Sequence, residues 1–354
     1  MWDVLVRRDD LSAAEVRPAE PAPLAGGEVR LALEKVAMTT NNATYARFGD
    51  DVVIAFWNAF PGPDGYGRVP VWAYVRVTES NHPGVPVGGR YYGYVPMSSH
   101  HVVAARPVER GFVDTAPQRG FLHPWYLTFE AADEPDALDD RRAAVHPVYP
   151  ASFNLADLLE RQAADGARTA VITSASSKVA LGLAEELAAR QVPLSTVGLT
   201  SARHAAFVAG LGWYGQVAAY DDLASVRAGG PAVFVDVTGA AGLRRGVAAH
   251  LGPGLVSTTL VGFTHPTAAV LPPQDMPGPA PEVFFTPAVE AQTVAAEGAD
   301  GYLARYAKSE QRFLESTTSW LTVTSARGPE AVVASYRDLL AGARPPDEIV
   351  VVTP

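Results

Sequence analysis

The residues best suited to chemistry fall in one run, Thr169-Ala-Val-Ile-Thr-Ser-Ala-Ser-Ser-Lys-Val-Ala-Leu-Gly-Leu-Ala184. A β-prone apolar stretch, Ala170 to Ile172, enters a turn of small hydroxyl residues. A helix with Val179, Leu183 and Leu187 on one face follows. Strand, small-residue turn and helix start form the corner that holds a dinucleotide diphosphate in a βαβ unit, because the helix start offers unpaired N–H groups and a positive dipole end. Most of the glycines usual in such a turn are replaced. Ser174, Ser176, Ser177 and Lys178 stand there instead. Serine hydroxyls can donate to phosphate oxygens, and Ser176 or Ser177 can cap the helix. A lysine at a helix start opposes the dipole unless an anion sits nearby. The plainer alternative is an ordinary βα turn with a serine cap.

The next strand, expected over Pro193 to Thr200, bears on which dinucleotide. NAD binders carry an Asp or Glu about 20 residues past the turn for the ribose 2′-hydroxyl. No carboxylate occurs from Pro193 to Ala219, and Thr200, Ser201 and Arg203 lie where that acid would be. Two hydroxyls and a guanidinium suit a 2′-phosphate, which favours NADP(H). Taken alone, Arg203 reads equally as a solvated residue in the first turn of the next helix.

The elements that must position these residues alternate onward. A helix with Phe207 and Leu211 on one face stops at Gly210 and Gly212, and a strand runs from Gln216 to Tyr220. A buried strand, Ala232 to Gly239, precedes a helix bearing Leu243, Val247 and Leu251. Another strand runs from Leu255 to Phe263. That alternation predicts a doubly wound parallel sheet of the Rossmann α/β class. Ligands then lie at the carboxyl ends of its strands, namely Thr173 to Lys178, Thr200 to Arg203, Tyr220, Thr238-Gly239 and Gly262 to His265.

Residues 169 to 265 resemble the cofactor domain of the medium-chain dehydrogenases/reductases, in their zinc-free quinone-oxidoreductase branch. The branch's Gly-Ala-Ser-Gly-Gly-Val-Gly turn is similar to Ser174-Ala-Ser-Ser-Lys-Val-Ala180. Its second-strand Ser-x-x-Lys stretch, Leu-Gly helix end and Asn-Tyr pair resemble Ser201-Ala-Arg-His204, Gly210-Leu-Gly212 and Ala219-Tyr220. The serine/lysine turn itself resembles an uncharacterised bacterial subfamily of unknown function. The resemblance implies 2′-phosphate contacts from Ser201 and Arg203, and adenine or ribose contact near Tyr220. It also implies nicotinamide contacts around Thr238-Gly239 and Val261-Gly262. His265, by its place at the end of a sheet strand, is a candidate proton donor or nicotinamide neighbour. Four turn glycines are replaced, by Ser174, Ser177, Lys178 and Ala180.

The flanks resemble the β-rich chaperonin-10-like domain of the same family. Glu28 to Glu34 and Val71 to Val77 alternate with period two, and Val87-Gly-Gly-Arg-Tyr-Tyr-Gly-Tyr-Val95 is similar to a family strand. Near the other end a helix begins at Pro329 and stops at Gly342, and a strand from Glu348 to Val352 follows. The expected division is residues 1–125 with 285–354 as the β-rich domain, and 126–284 as the cofactor domain. Acid-rich Glu130 to Arg142 and proline-rich Ala268 to Pro281 read as linkers.

The absence of cysteine excludes disulfides and thiolate chemistry, and the net charge of −10 argues against a nucleic-acid partner. No run approaches the ~20 apolar residues of a membrane helix. Early charges, from Asp3 to Asp10, do not suit a signal peptide, so a cytoplasmic location is expected. None of the eight histidines has the spacing of a zinc site, and the adjacent His100 and His101 read as a surface pair, so no catalytic metal is expected.

Reduction by a nicotinamide then needs an uncharged donor for the charge building on substrate oxygen. In the zinc-free branch substrate and nicotinamide meet between the domains, at a loop similar to Met38 to Asp50. Within it Asn42 and Tyr45 are candidate catalytic donors, against the alternative of an Asn-rich turn. Among the aromatics crowding the first third, Tyr94 and Tyr126 are candidate proton donors, and Phe153-Asn154 is a candidate substrate contact. The resulting expectation is an NADP(H)-dependent reductase of a small or medium apolar carbonyl, enone or quinone, with homodimers usual in the branch. A non-catalytic NADP(H)-binding sensor or scaffold, and a lyase or isomerase, remain as alternatives.

Overall fold

The computed structural model describes residues 1–50, 55–262 and 276–354. Period-two segments open the chain. β1 (Trp2–Arg7) and β2 (Ala14–Pro18) pair antiparallel, and β3 (Glu28–Ala37) leads into α1 (Thr40–Arg47) and α2 (Phe56–Ala59). β4 (Tyr66–Gly67) adds to β1, and β5 (Pro70–Ser80), β6 (Arg90–Pro96), β7 (His100–Val108) and β8 (Gly111–Asp114) follow. α3 (Pro124–Leu127), β9 (Thr128–Ala131) and α4 (Asp139–Val145) complete this stretch.

From there strands and helices alternate: α5 (Tyr149–Ala164), β10 (Thr169–Thr173), α6 (Lys178–Ala189), β11 (Ser195–Thr200), α7 (Ala202–Gly210), β12 (Gln216–Ala219) and β13 (Ala232–Asp236). α8 (Ala241–Leu251), β14 (Leu255–Leu260), β15 (Glu282–Val283), α9 (Thr286–Glu297) and α10 (Ala299–Ser316) continue it. β16 (Thr322–Arg327), α11 (Pro329–Leu340) and β17 (Glu348–Thr353) close the chain.

Two units result, residues 1–147 with 318–354, and residues 148–317. In the first, antiparallel ladders join β3, β5, β6, β9, β8 and β7 in turn, and β7 pairs back onto β3 from Glu28↔Ala104 to Ala32↔His100. The ring of strands therefore closes and leaves no open edge along it. The far end of β3, at Val36 and Ala37, takes β17, which in turn carries β16 in parallel. Every residue of β6 is buried, and Trp57, Phe60, Tyr94, Phe112 and Phe129 form the centre of the core.

The second unit is a six-stranded sheet in the order β12-β11-β10-β13-β14-β15, all its ladders parallel. This is the 3-2-1-4-5-6 order of a Rossmann sheet, which reverses between its first and fourth strands, here β10 and β13. Both are buried along their whole length, as strands covered on two faces by helices must be.

The strands expected from periodicity recur within a few residues at their ends. Two departures are informative. The acid-rich stretch Glu130 to Arg142 is not a linker but an ordered part of the β-rich unit. Asp139 there is 1% exposed and accepts from Lys35 Nζ at 2.6 Å and Arg90 Nη2 at 2.8 Å. Its neighbours Glu134 and Asp136 pair with Arg76 and Arg142. Acidic composition resembles a linker only while the cations that answer it lie elsewhere in the sequence.

Both unit boundaries also fall later than the expected 125/126 and 284/285. α9 and α10 belong with the parallel sheet, because α10 buries Tyr302 and Phe313 and its Arg312 grips Glu185 of α6 at 2.7 Å. The same packing accounts for Phe153 and Asn154. Both are buried, Asn154 Nδ2 donating to Tyr302 Oη at 2.8 Å and Phe153 edge-on to Tyr302, so this pair serves α5–α10 packing.

Asp139→Ala should leave Lys35 to Asp140 and Arg90 to Glu34 and lower stability by about 1–3 kcal/mol. Urea unfolding at neutral pH measures this, and a loss below ~1 kcal/mol would show that those two carboxylates suffice.

Candidate functional site

The carboxyl ends of β10, β11 and β13 gather most of the residues singled out in sequence. At the end of β10 the chain turns through Ser174, whose φ of 53° lies in the left-handed region that ordinarily calls for glycine. Ala175 then passes so close to β11 that a Cβ on Gly198 would lie 2.9 Å from its own. Ser177 is the cap of α6: its Oγ accepts from the Ala180 N–H at 3.3 Å. That resolves the choice between two serines and leaves Lys178 as the first helical residue.

Ser176 is committed differently. Its Oγ accepts from Thr200 Oγ1 at 3.2 Å and lies 3.3 Å from His204 Nδ1. The turn after β10 is thereby tied to the end of β11 and the first turn of α7. Ser201 stands at the N-cap of α7, yet its side chain makes no capping bond, and its Oγ is buried without a hydrogen-bond partner among the described residues. Arg203, two residues on, is exposed. Tyr220 reaches the turn itself: its hydroxyl accepts from the Ser174 N–H at 3.1 Å. Burial holds that hydroxyl protonated, above its ordinary pKa.

Under the turn lies a group that periodicity did not flag. Asp236, fully buried at the end of β13, accepts through Oδ1 from Thr173 Oγ1 at 2.8 Å, Thr238 Oγ1 at 2.7 Å and Thr238 N at 3.0 Å. Its Oδ2 receives Arg244 Nε of α8 at 2.7 Å, itself 2% exposed. The pair is internally neutral, so the carboxylate does not repel an anion held at the turn. The only signal in the sequence was an acid closing an otherwise apolar strand ahead of Thr238-Gly239. The Asp236 carbonyl also receives the Val261 N–H at 2.9 Å, and a Cβ on Gly262 would lie 2.6 Å from the Val237 carbonyl oxygen. Thr238, Gly239, Val261 and Gly262 thus converge beside Thr173. His265 lies outside the described residues.

The four candidate donors of the β-rich unit separate in kind. Asn42 is engaged: its Oδ1 accepts from Thr39 N at 2.7 Å and its Nδ2 donates to the Pro70 carbonyl at 3.0 Å. It completes a capping box on α1 and ties that helix to β5, so the amide expected to polarise substrate is already paired. Tyr45 Oη accepts from Asn41 Nδ2 at 2.7 Å and Trp72 Nε1 at 3.1 Å. Tyr94 touches Tyr45, Phe60, Trp72 and Tyr126, and its buried hydroxyl has no partner among the described residues. Burial raises both Tyr45 and Tyr94 well above the ordinary tyrosine value and pushes Tyr126 up to about 12, so all three stay protonated.

Among the described residues no three His, Asp or Glu converge as metal ligands, and no helix is long and apolar enough to cross a membrane.

The fold, a parallel sheet with reversed strand order in one unit and a closed antiparallel ring in the other, recurs in solved structures. The chain is similar to CurA from Vibrio vulnificus, solved in complex with NADPH, at 13% identity and a TM-score of 0.65 over 100% of this chain and 99% of that one. It is similar to mycobacterial Rv1454c complexed with NADPH, at 15% identity and a TM-score of 0.61 over the full length of both. A putative NADPH:quinone reductase from Mesorhizobium loti aligns at 14% identity and a TM-score of 0.64, over 100% of this chain and 98% of that one. No curated protein matches by sequence. Residues 36–345 match the family described as protein of unknown function DUF2855, and the chain belongs to that family.

The left-handed Ser174 gives a direct check on the turn. Ser174→Gly should leave stability unchanged or raise it by up to ~1 kcal/mol, whereas Ser174→Val should lower it by more. Thermal unfolding of the two variants decides, and a destabilised glycine variant would mean that the serine hydroxyl holds the turn.

Proposed function

We propose that the chain is an NADP(H)-dependent, metal-independent oxidoreductase that transfers hydride to a small or medium apolar carbonyl, enone or quinone. The observation that carries this reading is Ser201 Oγ, a buried hydroxyl at the end of β11 with no partner among the described residues. A 2′-phosphate is the group for which a dinucleotide site needs a donor there. In support, Thr200 and Arg203 flank it, no carboxylate stands between Pro193 and Ala219, and structural neighbours were solved with NADPH.

NADP(H), when bound, supplies the hydride. The residues of this chain would hold and orient it. Ser174, Ser176, Ser177 and Lys178 would line the diphosphate at the start of α6, where first-turn N–H groups lack intrahelical acceptors. Tyr220, whose hydroxyl rests on the Ser174 N–H, would meet the same phosphate or swing from it. Thr238, Gly239, Val261, Gly262 and His265 would border the nicotinamide end.

In the β-rich unit, Tyr94 is the donor the proposal favours for the substrate oxygen, since its hydroxyl is protonated and unpartnered. Tyr45 and Tyr126 are second in line, and Asn42 serves by holding α1 in place. The aromatic surroundings of Tyr94 suit an apolar substrate.

Titration with NADPH and NADH tests the first half of the proposal. Arg203→Ala and Ser201→Ala should each weaken NADPH by about tenfold, roughly one charge-assisted hydrogen bond, and change NADH little. Equal losses for both nucleotides would remove the 2′-phosphate assignment. NADPH oxidation with a panel of quinones and enones tests the second half: tight NADPH binding without turnover, in wild type and in Tyr94→Phe alike, would favour a sensor or scaffold.

A further inference from the structure

The β-rich unit contains a cavity of about 280 Å³ that the proposed reaction does not use. It is bordered by β1, the segment after β2, β3, the start of β7 and the turn at Pro117–Arg119. The chain as a whole has 38 acidic residues against 28 Lys and Arg, but the cavity wall reverses that ratio. Arg30, Arg68, Arg119, His100 and His101 line it, against the carboxylates of Asp3 and Glu20.

Two of the arginines are fixed from behind. Arg30, 3% exposed, is paired with Glu79 at 2.9 Å and donates to the Ala22 carbonyl. Arg119, 6% exposed, is paired with Asp114 and donates to the Val102 carbonyl at 3.3 Å. Arg68 is less satisfied. Its Nη2 reaches the Pro61 carbonyl at 3.0 Å, the nearest Asp3 oxygen is 3.6 Å from Nη1, and its Nε is buried with no acceptor among the described residues. His101 is the second such group, its Nε2 buried and without a partner among the described residues while its ring lies edge-on to Phe60.

Two buried, unsatisfied nitrogens on one cavity wall are an exception that calls for a partner, since each costs on the order of 1–3 kcal/mol when left unmet. The local potential says of what sign. Besides burial, Arg119 and Arg68 together press the His101 imidazole toward its neutral form, and the terminal amine of Met1 and then Arg30 do the same to His100, against Glu79. The lining itself carries more cationic and imidazole groups than carboxylates. A preorganised guanidinium fork beside imidazole nitrogens, in a positive pocket of this size, matches an oxyanion.

We propose that this cavity is a binding site for a small oxyanion, the phosphate of a phosphate ester or the carboxylate of a small organic acid, held chiefly by Arg68 and His101. It is separate from the nucleotide site: every residue named lies in the β-rich unit, and the proposal does not depend on NADP(H) binding.

The test is histidine-resolved NMR of the full chain, titrated with inorganic phosphate in one series and succinate in another. Saturable shifts of the His100 and His101 ring resonances are expected with at least one probe. Preference for phosphate assigns the phosphate ester, and preference for succinate the organic acid. Arg68→Gln should weaken binding at least about tenfold, and Arg68→Lys, which keeps the charge and loses the fork, by less. The two variants retain a long polar side chain at a partly exposed position, and the unchanged spectrum of the other resonances verifies folding. The proposal is overturned if neither probe moves His100 or His101 at ~50 mM, beyond the range in which charge-assisted bonds should hold an anion. It is also overturned if Arg68→Gln binds as wild type does. Should phosphate move only His204, the ion sits at the serine turn, and the cavity assignment fails while the nucleotide reading stands.

Discussion

A carboxylate in a dry interior has to be answered by donors on every side, and Asp236 is answered by the ends of three other segments. Thr173 brings the end of β10, Thr238 and Gly239 bring the loop after β13, and Arg244 brings α8. Its own carbonyl takes the chain leaving β14. An isolated buried carboxylate would cost several kcal/mol, so these partners are obligatory rather than optional. The strand order reverses between β10 and β13, and the crevice at such a reversal is where ligands bind in open α/β sheets. One satisfied acid therefore sets the floor of the crevice and the spacing of the loops above it.

The turn over that floor is held by hydroxyls where glycines are usual. Hydroxyls bring both donors and obligations. Ser177 caps α6, Ser176 ties to Thr200 and His204, and the Ser174 N–H is met by Tyr220. A glycine turn offers bare backbone, whereas this one is cross-braced by side chains. Ser201 alone in this group stays buried without a partner, and that contrast singles it out.

The β-rich unit depends on an equivalent constraint of another kind. β3 is long enough to serve two sheets' worth of partners, β7 along its first half and β17 at its end. Closing the ring on β3 brings Arg30, Arg68, His101 and Arg119 to one cavity, although they are spread over some ninety residues of sequence. The same closure stacks Tyr45, Trp72, Tyr94 and Tyr126 into one aromatic cluster and withdraws their hydroxyls from water.

The order of strands and helices, the parallel sheet and the serine turn were legible in the chain alone, because period, caps and turn chemistry are local properties carried by a dozen residues at a time. Partner choice is not local. Nothing near Asn42 announces that Thr39 and Pro70 take its amide, nothing near Asp139 announces Lys35 and Arg90, and nothing in 285–316 announces that its helices close on α5 and α6. A hydroxyl or carboxyl becomes chemistry or scaffold according to which distant group reaches it first, and only the folded chain decides that.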